Sequence, residues 1–132
     1  MYPHQAERLQ AELERGGFAA LVAATPANVA YVTGFQSLVA AVDPATEIYA
    51  VVGPGETALV VPTMEALAVA EGDADTNHVV CHGRFHYAET DGTSERATRL
   101  RRLIAEPAAR GADALAAALA LVGVRSGRVG LD

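Results

Sequence analysis

The chain has 132 residues, 51% of them apolar and 20% charged, with a formal net charge of −6. That balance excludes a disordered chain and fits one globular domain able to bury roughly two-thirds of its unfolded surface. It also argues against nucleic acid or an anionic membrane as partner, since both select clustered cations.

The single cysteine excludes an internal disulfide and fits a reducing, cytoplasmic setting. The opening "MYPHQAERLQ" shows no secretion signal, and no apolar run reaches the ~20 residues of a membrane span.

In chain order, "PHQAERLQAELERGG" predicts a helix. Pro3 suits its first turn, Ala6, Leu9 and Leu13 recur at helical spacing, and Gly16 and Gly17 stop it. "FAALVAA", 18–24, is a short apolar run that predicts a strand covered on both faces. Thr25 as cap, Pro26 at the first helical position and Gly34 as terminator predict a helix of about two turns. Residues 36–47 carry the Asp43-Pro44 turn signal, and Phe35 to Thr46 are expected as a loop. The runs 48–52 and 57–61, separated by "GPGET", predict an antiparallel hairpin.

A helix opened by Thr63 is expected next, with Met64, Leu67 and Ala68 on one face. Residues 77–82 then read as a strand, and "HYAETDGTSE" as a polar connector. Ser94 caps a helix over 94–106 whose Arg96, Arg99, Arg101 and Arg102 form a solvated face, and Pro107 breaks it. A last helix places Leu115, Leu119 and Val122 on one stripe before Gly123, and "GRVGLD" starts a final strand. Alternating helices and strands with one hairpin predict a mixed sheet of five or six strands with helices on both faces.

The stretch "NHVVCHGRFHY" gathers His78, Cys81, His82 and His86, the residue types that bind zinc. On a strand, however, side chains alternate faces. His78 and His82 then share one face near the exposed end of the strand, Cys81 points to the other, and four ligands do not converge. Asp73 and Asp75 lie in "EGDADTN", a run of turn residues that reads as a solvated loop. No P-loop, Gly-x-Gly-x-x-Gly, Gly-x-Ser-x-Gly or His-Glu-x-x-His occurs. The residues alone support an α/β domain and no particular chemistry.

Two segments add a resemblance. "RLQAELERGGFAALVAATPANVAYVTGFQS" resembles the opening of the creatinase, prolidase and aminopeptidase P family, which shows a helix, a strand and then N-h-x-Y-h-T-G-F. Asn28, Tyr31, Thr33, Gly34 and Phe35 carry the match, and "GRVGLD" looks like the x-x-I-G-h-E that closes the family's amino-terminal domain. Phe18 and Ala19 depart from the Leu and Asp common there, and the Arg-rich helix looks longer than the usual connector.

The resemblance implies a three-layer α/β/α, ribonuclease H-like domain over 1–132, followed in the parent by a "pita-bread" catalytic domain. That second domain would hold a divalent metal (Mn, Zn or Co) and cleave proline-containing peptides. None of its ligand motifs lies in this chain, so no catalytic and no metal residue is expected here. The resemblance also implies a homodimer, in which the loop bearing Phe35, Gln36, Ser37, Leu38, Val39 and Val42 reaches a neighbouring subunit and narrows its substrate entrance. Those apolar residues folding back into their own domain is the other reading of the loop. Asn28, Tyr31, Thr33 and Gly34 are expected to be structural. A creatinase-like, metal-free amidinohydrolase and a protein-binding pseudo-peptidase remain as alternative parents.

Overall fold

The structure is a computed structural model and describes residues 3–72, 74–88 and 92–132. Asp73, expected in a solvated loop, and part of the polar connector, 89–91, lie outside those residues. Helix α1 covers Pro3–Gly16, strand β1 Ala20–Ala23, helix α2 Pro26–Thr33 and helix α3 Leu38–Val42. Strands β2 (Tyr49–Val52) and β3 (Thr57–Pro62) follow, then a 3-10 turn, Thr63–Glu65, that leads into α4, Ala66–Glu71. Strand β4 is His78–His82, α5 Glu95–Ile104, α6 Gly111–Leu121 and β5 Val129–Leu131.

The strands form one mixed sheet in the order β4-β3-β2-β1-β5. β2 is antiparallel to both β1 and β3, as the four-residue connection Gly53–Glu56 demands for the hairpin. The β3–β4 and β1–β5 pairs are parallel, each joined through helices. A single bridge between His82 and Ala108 continues the sheet beyond β4 without making a sixth strand.

Two clusters pack on the two faces, which makes the fold a three-layer α/β/α sandwich. Ala23, Ala50, Val52, Leu59, Val61 and Cys81 face α1 to α5, meeting Leu13, Val29, Val32, Ala40, Ala66 and Val69. Ala20, Val22, Val51, Ala58 and Val60 face α6 alone, through Ala114, Ala118 and Val122. Alternation along each strand produces this division.

Met64, Leu67 and Ala68 share one face of their helix, as expected, and that face is exposed, while Ala66, Val69 and Ala70 are buried. Two expectations need correction. On α6 the alanines 114 and 118 lie at the centre of contact with the sheet, and Leu115 and Leu119 flank them half-buried. Residues 35–46 are not a plain loop, because α3 forms within them. The Ser37 hydroxyl accepts the Ala40 N–H at 2.8 Å and caps this short helix.

Gly53 follows β2 and lies against α6. A Cβ built there would stand 2.7 Å from the Val122 side chain and carbonyl oxygen. Gly53→Ala is therefore expected to cost about 1–3 kcal/mol through overpacking, read as a lower urea midpoint with an unchanged slope. An unchanged midpoint would show that α6 yields freely at this point.

Candidate functional site

The motif residues 28–35 occupy α2 and its exit. Thr25 is extended, and its hydroxyl accepts the Asn28 N–H at 3.4 Å. Asp132, the residue after β5, completes the cap. Its Oδ1 accepts the Ala24 N–H at 2.6 Å, and its Oδ2 accepts the Thr25 hydroxyl at 3.0 Å and Asn28 Nδ2–H at 2.5 Å. A carboxylate there accepts the Ala24 and Thr25 N–H groups just before α2 and suits the positive end of the helix dipole. Partial burial pushes the Asp132 carboxyl up, but the hydrogen bonds from Ala24, Asn28 and Thr25 outweigh that and hold it below the ordinary carboxylate value.

At the other end of α2, Gly34 adopts a left-handed φ of 71° and its N–H closes on Ala30 O at 2.8 Å. The buried Thr33 hydroxyl donates to Val29 O at 2.8 Å and accepts the Phe35 N–H at 3.1 Å. The chain leaving α2 is thereby aimed into α3. Of the expected loop residues, Phe35 and Ser37 are buried, Val39 is half-buried, and Gln36, Leu38 and Val42 are exposed.

One further residue holds this segment. Glu65, in the 3-10 turn after β3, is only 5% exposed. Its two oxygens share the Ser37 hydroxyl at 2.8 Å each, and Oε1 also accepts the Val39 N–H at 3.4 Å. No sequence signal marks Glu65, since an acid early in a helix ordinarily reads as solvated. Tyr87 fixes the same turn from above, its hydroxyl donating to Thr63 O and Met64 O, each 2.8 Å away.

Tyr31 lines a groove of about 590 Å³ together with Arg8, Leu9, Phe18, Leu21 and Leu131. Its two acids are Glu12, paired with Arg15, and Asp132, committed to the start of α2. The lining thus suits packing or binding and offers no nucleophile beside a base.

The histidine cluster is dispersed. His78 Nε2 lies 3.0 Å from Glu56 Oε2, and His82 Nε2 lies 2.8 Å from Glu47 O. His82 is buried on the α6 side, not near an exposed end as the strand reading expected, because α6 and the stretch before β2 close over it. Cys81 faces the opposite core, where burial pushes its thiol up to about 11 and keeps it protonated and unreactive near neutral pH. Among the described residues, no group of three or more His, Cys, Asp or Glu is placed to hold a metal ion. Nor is any described helix long and apolar enough to cross a membrane.

Residues 5–132 match the family described as the Creatinase/Prolidase N-terminal domain. The chain belongs to that family. No curated protein matches it. Among solved structures, a proline dipeptidase from Streptococcus pneumoniae is 24% identical over 56% of this chain and 52% of its own, with a TM-score of 0.44. A prolidase from Pyrococcus furiosus is 23% identical over 58% of this chain and 20% of its own, with a TM-score of 0.44. An Xaa-Pro aminopeptidase P from Streptococcus thermophilus is 12% identical over 98% of this chain and 90% of that one, with a TM-score of 0.48. These likenesses are distant, and the assignment rests on the family match.

Asn28 of the Creatinase/Prolidase N-terminal motif thus meets Asp132, the residue after β5. A carboxyl held below its unfolded value contributes its full stabilisation above the ordinary carboxylate range and loses it as pH falls through the depressed folded value. Asp132→Asn is therefore expected to flatten the acid limb of the stability–pH curve and leave thermal melts at pH 5 and pH 3 closer together than in wild type. Parallel acid limbs for both proteins would remove Asp132 from this role.

Proposed function

We propose that this chain is the non-catalytic amino-terminal domain of an Xaa-Pro dipeptidase or aminopeptidase-like hydrolase. In this reading the parent is a cytoplasmic homodimer acting on proline-containing peptides, and α3 of one subunit narrows the substrate entrance of the other. The reaction, with its divalent metal (Mn, Zn or Co), belongs to a following catalytic domain. The residues described above offer no ligand set for such a metal, and their share is to orient and exclude.

The observation that carries the reading is the division of labour within α3. Leu38 and Val42 are 81% and 83% exposed, while Phe35 and Ala40 beside them are buried and Ser37 is held by Glu65. Two apolar side chains on a helix so firmly anchored form a projecting surface, and exposed apolar residues grouped in this way mark contact sites.

The test is made in the full-length parent. Leu38→Asp and Val42→Asp are expected to break the dimer or to raise KM about tenfold or more. The fold should be retained, since exposed substitutions stay within about 0.5 kcal/mol. Dimeric variants with unchanged kinetics would dismiss α3 from this role. Residues 1–132 alone are expected to hydrolyse no Xaa-Pro dipeptide and to retain no stoichiometric metal after dialysis. Activity that survives repurification of the fragment would overturn the division between the two domains.

A further inference from the structure

We infer that Tyr87 is a positioning residue for α3, acting on it through the turn that carries Glu65. How α3 is held in this chain does not depend on the entrance role proposed for it, which bears only on the kinetic consequence.

α3 cannot order itself. It has five residues, well short of the ~12–15 that an isolated helix needs to be even marginally stable. Ala40 is buried, Val39 is half-buried, and Leu38, Ala41 and Val42 are exposed, so the helix gives the core little more than a methyl group. Its order therefore comes from polar contacts at its start, and these meet at Ser37. The Ser37 hydroxyl accepts the Ala40 N–H at 2.8 Å and donates to the Glu65 carboxylate, whose Oε1 also accepts the Val39 N–H at 3.4 Å. Glu65 thus grips the cap of α3 from 28 positions further along the chain.

Such a grip is only as fixed as its mount. Glu65 stands at φ −95° and ψ 0°, at the joint between the 3-10 turn and α4. Tyr87 holds that joint. Its hydroxyl shares its hydrogen between Thr63 O and Met64 O, each 2.8 Å away, and accepts the Leu67 N–H at 3.3 Å. Met64 O belongs to the peptide group that leads into Glu65, so this contact fixes the plane from which the Glu65 side chain departs. Thr63 supports the same turn, its hydroxyl lying 2.9 Å from His82 O and 2.7 Å from Gly83 O. Both supports come from residues 82–87, the end of β4 and the stretch after it. Two segments far apart in the chain, 37–42 and 85–87, are joined in this way through the turn at 63–65. The Tyr87 ring also packs edge-on against Phe85, with centroids 4.9 Å apart, and this contact keeps the ring seated when the hydroxyl is removed.

Hydrogen exchange of backbone amides reads the effect directly, because a short helix opens locally, ahead of the sheet. In Tyr87→Phe the Val39 and Ala40 amides should exchange about fivefold faster or more, the change that one lost hydrogen bond brings. Leu59 and Val61 in β3 should keep their wild-type rates. Glu65→Leu should accelerate the same two α3 amides. Glu65→Gln, whose amide can still meet the Ser37 hydroxyl and the Val39 N–H, should keep most of their protection. Tyr87→Phe/Glu65→Leu should be no faster than Glu65→Leu alone, because Tyr87 acts through Glu65. If Glu65→Leu does not fold, Ser37→Ala takes its place, since it breaks the same grip from the other side. In the full-length parent, Tyr87→Phe should raise KM and leave kcat unchanged. Unchanged α3 amides in Tyr87→Phe overturn the inference. So does an equal acceleration in β3, which marks a global loss of stability, or full additivity in the double variant. Faster α3 amides with an unmoved KM uphold the positioning by Tyr87 and dismiss the entrance role of α3.

Discussion

Burial of the β2–β3 hairpin on both of its faces is the constraint from which the rest of the domain follows. Ala50, Val51, Ala58, Leu59, Val60 and Val61 are all fully enclosed. Two strands enclosed in that way need apolar cover above and below, which one helical layer cannot supply. Removing a side chain such as Leu59 from water contributes about 1.5–3 kcal/mol, so each face separately justifies its helices. The antiparallel hairpin also sets the directions of the outer strands. β1 and β3 flank β2 and run opposite to it, and β4 and β5 follow them in parallel. The carboxyl ends of four strands consequently lie at one edge of the sheet, where the start of α2, the Glu65 turn and Asp132 all sit.

The two helical layers are unequal. Five helices cover one face and α6 alone covers the other, seated on alanines that let its backbone come close to the sheet. Gly53 beneath Val122 belongs to the same close fit. The elements that carry the family motif are all on the crowded side, where several neighbours can hold a polar group in place. Glu65 illustrates this. A buried carboxylate is costly unless it is hydrogen-bonded, and here it is tolerated because Ser37 and Val39 approach from a helix 26–28 residues earlier in the chain.

That distance also explains what could be read from the sequence. Features set by adjacent residues were legible. Thr25-Pro26 and Gly34 bound α2, Ser94 caps α5 with its hydroxyl on the Ala97 N–H, and a short link rich in Gly and Pro between two apolar runs makes a hairpin. The split of Cys81 from His78 and His82 followed from strand alternation alone. Features set by remote partners were not legible. Asn28 and Asp132 are separated by 104 positions, so a single sequence shows two family residues without showing that they touch. Hydrophobicity also misled where contact selects for small size. The alanines of α6 and α4 carry a weak apolar signal but lie innermost, while Met64 and Leu67, which carry a strong one, face water.

The anchoring of α3 has a consequence for how such a domain changes over evolutionary time. Phe35, Ser37 and Ala40 bear the structural obligations of the segment, and Leu38 and Val42 bear none that the core would register. In the role proposed for α3, selection on folding and selection on recognition would therefore act on different residues, interleaved over positions 35–42. The tip can exchange one side chain for another without disturbing its mount, much as a tool bit is changed in a fixed chuck. A lineage can alter what the tip touches while the sheet beneath it stays the same.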